Sequence, residues 1–177
     1  MPPTRRAPLV SILMGSDSDL PVMAECARIL DGYGLAYDMR VLSAHRTPDE
    51  TVRFVRRAER GGCKVIIAGA GASAHLAGVV AAHSLLPVIG VPLAGSPLGG
   101  VDALLSTVQM PPGVPVATMG VGAMGARNAA HLTASILALG DARLRAKLAK
   151  RRRRMRDDVV KKNRDLPARL AKLLKAK

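Results

Sequence analysis

The chain has 177 residues, 49% of them hydrophobic, enough to bury a core and to exclude a disordered segment or a disulfide-stapled miniprotein. Two tyrosines, one phenylalanine and no tryptophan leave almost no stacking platform for single-stranded nucleic acid. The net charge of +14 is unevenly placed: residues 143–177 hold 16 Lys and Arg against 3 Asp and Glu, whereas residues 1–142 hold 11 against 10.

Predicted elements alternate between strands and helices. Residues 9–14 form a short apolar run ahead of Gly15-Ser16-Asp17-Ser18-Asp19, and helical spacing continues from Leu20 to about Leu30, where Gly32 and Gly34 are expected to stop it. Residues 36–42 read as a second strand and 43–47 as a loop. Pro48 suits a first helical turn, with Thr47 as N-cap and Glu50 completing a capping box, and that helix ends at Gly61-Gly62. Residues 65–68 form a third strand, followed by a Gly/Ala-rich loop and a helix to about Ser84. Residues 87–91 and 116–119 supply two further strands, with a helix over 101–108 between them and another over about 123–139. Short, continuously apolar strands separated by helices predict a parallel sheet covered on both faces, a doubly wound three-layer α/β domain over 1–142. Its ligand sites belong in the loops after the strands.

Three such loops carry chemistry. In the first, Gly15 permits a tight turn, and Ser16 and Ser18 suit an anion at a helix start, with Asp19 turned toward a sugar hydroxyl; plain helix capping is the competing reading. In the second, Ser43-Ala44-His45-Arg46-Thr47-Pro48, His45 can give and take a proton near neutrality and Arg46 offers a fork of donors for phosphate or carboxylate; the competing reading is a surface His-Arg pair. The third, Gly69-Ala70-Gly71-Ala72-Ser73-Ala74-His75, fits GxGxxA formally but lacks the acidic residue about 20 positions on that a dinucleotide site needs. It remains a loop without bulky side chains, open to a flat ligand, and His75 reads as structural or functional.

Other chemistries are excluded. Lys64 is the sole lysine before position 147 and precedes a strand, which disfavours a Schiff base. GxSxG and GxxxxGK[ST] are absent, and His83 and His131 fall on predicted helices without carboxylates at ligand spacing, so neither metal nor cofactor is expected. Cys26 and Cys63 show no zinc spacing and are expected to be reduced structural thiols. Apolar runs fall far short of the ~20 residues a membrane span needs. Arg5 and Arg6 precede only a strand-length apolar run with no small-residue cleavage site, so a leader is not expected and the chain is placed in the cytoplasm.

Read in order, the segments Gly15-Ser16-Asp17-Ser18-Asp19, Ser43-Ala44-His45-Arg46-Thr47-Pro48, Ala68-Gly69-Ala70-Gly71 through Ala74-His75-Leu76, Pro87-Val88-Ile89-Gly90-Val91-Pro92, Gly100-Val101-Asp102-Ala103-Leu104, Ser106-Thr107-Val108-Gln109-Met110-Pro111 and Gly113-Val114-Pro115-Val116 resemble the PurE family across residues 8–142. The resemblance implies a flavodoxin-like fold and a mutase of purine synthesis that moves a carboxylate from the exocyclic nitrogen of a carboxyaminoimidazole ribonucleotide to ring carbon 4, without cofactor or metal. It further implies homo-octamers with sites between subunits. By the same resemblance Ser16, Ser18 and Arg46 hold the phosphate and Asp19 meets the ribose. The loop 69–74, including Gly71, Ala72 and Ser73, covers the imidazole and released carbon dioxide in a closed pocket, alongside Ser43, Ala44 and Leu76. His45 relays the proton and His75 supports the pocket. Arg46 in its Ser-Ala-His-Arg setting is similar to the mutase group rather than to the group that carboxylates aminoimidazole ribonucleotide directly. Ala77 departs from the proline common after His-Leu.

The basic extension 143–177 places Leu144, Leu148, Met155 and Val159 at helical spacing beside Arg151–Arg154. The resemblance implies an assembly helix packing on neighbouring subunits with a solvated basic face. A nucleic-acid or anionic-surface arm is the disfavoured alternative. Residues 166–177 are expected to be only partly ordered.

Overall fold

A computed structural model describes residues 8–175; Arg5 and Arg6, on which the leader expectation rests, lie outside them. The strands are β1 (Val10–Met14), β2 (Tyr37–Val41), β3 (Val65–Gly71), β4 (Val88–Leu93) and β5 (Ala117–Thr118). The helices are α1 (Leu20–Tyr33), α2 (Pro48–Arg60), α3 (Leu76–Ala82), α4 (Val101–Val108), α5 (Ala123–Leu137) and α6 (Ala142–Lys175). The chain forms two compact units, one ending at Ile136 and one beginning at Leu137.

All five strands are parallel, in the order β2-β1-β3-β4-β5. The chain leaves β1 in one direction to make β2 and crosses to its other side for β3, so strand order reverses at β1. Register brings the carboxyl ends level there: Met14 sits opposite Val41 on one side and Gly69 on the other. Ile12, Ile66, Ile67 and Ile89 are fully buried, each worth roughly 1.5–3 kcal/mol against exposure.

Helices cover both faces. On one, α1 and α5 are joined by Tyr33 Oη and His131 Nδ1 at 2.9 Å and by Arg127 Nε donating to Glu25 at 2.7 Å. That guanidinium holds the Glu25 carboxyl below its ordinary range. On the other, Phe54 and Val55 of α2 and Leu76 and Val80 of α3 pack with Leu13, Ile66 and Val88. Two glycines make these approaches possible. A Cβ on Gly69 would lie 2.4 Å from Met23 Sδ of α1, and one on Gly90 would lie 2.4 Å from Thr107 Cγ2 of α4.

Several expectations are corrected. Gly32 lies inside α1; it is Gly34, at φ 72°, that ends the helix in the left-handed region. Thr47 caps nothing, because its hydroxyl closes its own loop, accepting from Ser43 N–H at 3.0 Å and donating to Ser43 C=O at 3.1 Å. The capping box falls instead at Ser16 and Asp19. The third strand extends to Gly71, so half of the expected glycine loop is sheet. Among the described residues of the extension, α6 runs through Pro167 to Lys175.

Candidate active site

At the carboxyl ends of the strands, where the strand order reverses, the loops after β1, β2 and β3 line one cavity of about 370 Å³. Ser16, Ser18, Asp19, Ser43, Ala44, His45, Arg46, Gly71, Ala72, Ser73 and Leu76 all border it. Of the residues expected to bind substrate or move its proton, His75 is the one that does not line the cavity; it is in hydrogen-bond contact with His45.

Each loop is held by its own bonds. After β1, Ser16 N–H donates to Asp19 Oδ2 at 3.0 Å while Ser18 N–H and Oγ–H both point to Ser16 Oγ, at 3.3 and 2.9 Å. Burial pushes the Asp19 carboxyl up from its ordinary value, against the opposing pull of the Ser16 and Gly15 N–H groups. Gly15 N–H donates to Gly69 C=O at 3.2 Å, tying this loop to β3. After β2, the Arg46 guanidinium donates to Gly15 C=O at 3.2 Å, which sets its positive charge beside the Ser16–Ser18 turn.

The loop after β3 is braced from below. Ser106 of α4 accepts from Ala74 N–H at 3.0 Å and hydrogen-bonds Ala72 C=O at 3.4 Å. Ala72 has φ 52°, a left-handed backbone that L residues with a Cβ adopt at a cost. His75 occupies the N-cap position of α3 yet makes no cap bond. Its ring turns toward the second loop instead, with Nδ1 2.8 Å from His45 Nε2 and the two rings edge to face at 86°. One of these nitrogens donates and the other accepts.

The single chain does not close this site. His45, Arg46, Ala72, Ser73 and His75 are exposed in it. Gly95, after β4, also lines the cavity and was not singled out; its signal was its place after the fourth strand. No group of three or more His, Cys, Asp or Glu side chains suited to a metal occurs among the described residues, and no helix among them is long and apolar enough to cross a membrane.

A parallel sheet in this order, with a hydroxyl- and arginine-lined cavity at its switch point, defines a flavodoxin-like α/β protein built for a small anionic ligand. The model of the AIR carboxylase family matches residues 9–158. The chain is 53% identical over 149 residues to an N5-carboxyaminoimidazole ribonucleotide mutase of Pyrococcus abyssi, covering 84% of each chain. It is 47% identical over 173 residues to the enzyme of that name from Mycobacterium tuberculosis, covering 98% of each. The crystal structure of Treponema denticola PurE superposes with a TM-score of 0.82 at 29% identity, over 90% of this chain and 98% of that one. The chain belongs to the AIR carboxylase family.

Proposed function

We propose that this chain is an N5-carboxyaminoimidazole ribonucleotide mutase of purine biosynthesis, acting in the cytoplasm. The observation that carries the reading is the convergence of three strand-end loops on one cavity, with the anion-suited groups of the first two loops beside a coupled His45–His75 pair. Relatives named as mutases, 47–53% identical, supply the substrate's identity.

Ser16, Ser18 and Arg46, which border the same cavity, hold the 5′-phosphate. Asp19 accepts from the ribose with the oxygen its capping bond leaves free. Ala70, Gly71, Ala72 and Ser73 lie over the imidazole, because only a loop without bulky side chains lets backbone approach a flat ring. His45 gives a proton to the exocyclic nitrogen as its bond to the carboxylate breaks and carbon dioxide departs. Ring carbon 4 of the resulting aminoimidazole attacks that carbon dioxide, forming the new carbon–carbon bond, and His45 takes the proton that carbon 4 loses as aromaticity returns. The proton taken equals the proton given, so the cycle consumes no co-reactant. Retention of carbon dioxide beside the ring gives the second step its effective concentration.

The site works in an assembly, with a neighbouring copy covering the exposed His45 side, and we assign a homo-octamer. Supporting this, Val101, Leu105 and Val108 are spaced along one exposed face of α4, and Leu98 and Met124 are exposed as well. The start of α6 packs on neighbouring copies in the same assembly. Truncation after Asp141 should therefore lower the number of copies per particle, read by light scattering as particle mass divided by the mass of the shortened chain; an unchanged copy number removes α6 from the assembly.

Purified protein supplied with the N-carboxylated nucleotide at minimal bicarbonate should form the carbon-4 product faster than the substrate decays spontaneously. Product formed only from aminoimidazole ribonucleotide and excess bicarbonate would make the chain a direct carboxylase instead.

A further inference from the structure

The mutase reading gives no work to the charge on α6. This helix holds fifteen Lys and Arg against three Asp, and every residue from Ala149 to Arg164 is exposed. At 3.6 residues per turn, Leu148, Met155, Val159, Leu166 and Leu170, spaced by sevens and fours, share one side. Lys150, Arg153, Arg154, Lys161 and Arg164 fall on the other. The one carboxylate among them, Asp157, is taken by Arg156 at 2.9 Å. Arg151–Arg154 make no ion pair among the described residues. The result is a straight cationic face of about 22 Å ahead of Pro167, at 1.5 Å per residue.

We propose that this face binds the phosphate backbone of duplex DNA without sequence preference. The occupant follows from what the face offers and lacks. It has charge and reach but no aromatic ring, so it cannot stack the bases of a single strand. A flexible strand would also have to be ordered along it at an entropic cost, whereas a duplex presents its charges on an equally stiff rod. A bilayer is the wrong partner: Arg151 and Arg152 interrupt the apolar side between Leu148 and Met155, and a helix lying in lipid would submerge them. A second α6 would set cation against cation. The apolar side stays available for packing between copies while the basic side meets DNA.

The test uses the full-length chain and a labelled random duplex of about 20 base pairs, followed by fluorescence anisotropy from about 50 to about 200 mM salt. Each phosphate contact contributes ~0.9 to the slope of log affinity against log salt. The triple variant K150Q/R153Q/R154Q keeps good helix formers in place, and it should flatten the slope by about 2 to 3. At about 50 mM salt it should weaken binding at least about tenfold, with mutase turnover unchanged. The control R53Q/R56Q/R60Q removes the same charge from exposed positions of α2 and should leave the slope as it was. Equal effects of the two triples would reduce the matter to net charge and overturn the proposal. So would absence of binding at about 50 mM salt, tighter binding of single-stranded RNA than of duplex, or co-sedimentation with vesicles of phosphatidylserine and phosphatidylcholine where DNA fails to bind.

Discussion

The two ends of the central sheet hold cavities of opposite character. At the carboxyl ends of the strands, about 370 Å³ is bordered by three loops that bring together hydroxyls, an arginine and a histidine pair. At the other end, a cavity of about 700 Å³ is lined by Arg56, Glu59, His83, Ser84, Leu85 and Val114 among others. The larger space has a histidine, an arginine and a carboxylate too, yet their bonds go elsewhere: Ser84 Oγ donates to Glu59 at 3.0 Å, and His83 Nδ1 meets Val79 C=O at 2.9 Å. Size and residue type therefore do not make the site. What distinguishes the smaller cavity is that its groups face a common volume from three strand ends and that one of them, His45, is hydrogen-bonded to a second histidine, His75, outside the lining.

The largest effect should come from breaking that pair at its front member. His45→Asn keeps the size of the side chain but cannot cycle a proton, and kcat should fall by about 10²–10⁴-fold, the span of general acid–base catalysis. The thermal midpoint should stay within a degree or two. Turnover near the parent value would take His45 out of the chemistry and erase the contrast between the two ends.

Gly69→Ala tests the scaffold beneath the site. The added methyl would meet Met23 Sδ at 2.4 Å, so either the Met23 side chain must repack or α1 must shift away from β3. Overpacking of this kind costs about 1–3 kcal/mol, readable as a lower denaturant midpoint at unchanged slope. A midpoint equal to the parent's would mean that Met23 swings aside freely and that β3 does not depend on glycine there.

His75→Asn sharpens the comparison by removing the rear member of the pair. A single hydrogen bond of about 1–1.5 kcal/mol corresponds to roughly a tenfold loss of kcat, with KM nearly unmoved. A change confined to KM would assign His75 to substrate contact instead.

Much of this was legible in the sequence, for identifiable reasons. Continuous apolar runs such as residues 65–68 have one comfortable place, inside a covered parallel sheet, and α4 falls at the residues its spacing predicts. The loops were legible because ligands in open α/β sheets meet the carboxyl ends of strands. Illegible were features set by which partner a residue meets once the chain has folded. Thr47 looks like an N-cap until Ser43 claims its hydroxyl. Gly69 looks like loop until Met23 is seen to need its missing Cβ. His75 reads as either capping or catalytic until its ring is seen 2.8 Å from a residue thirty positions away. Gly95 offered no chemical type to notice, only a place.

The smallest effect is expected at the opposite end of the sheet, and there a null result carries the information. Arg56 lines the larger cavity and makes no ion pair among the described residues, while Leu85 at its rim is 98% exposed. Arg56→Gln and Leu85→Ser remove a charge and an apolar tip without touching a buried contact, and exposed substitutions of this kind stay within about 0.5 kcal/mol. By that measure kcat/KM should hold within about twofold of the parent. If either change instead cost tenfold or more in turnover, chemistry or coupling would reach through the sheet from its amino end. The rule that strand carboxyl ends alone carry the site would then fail for this chain.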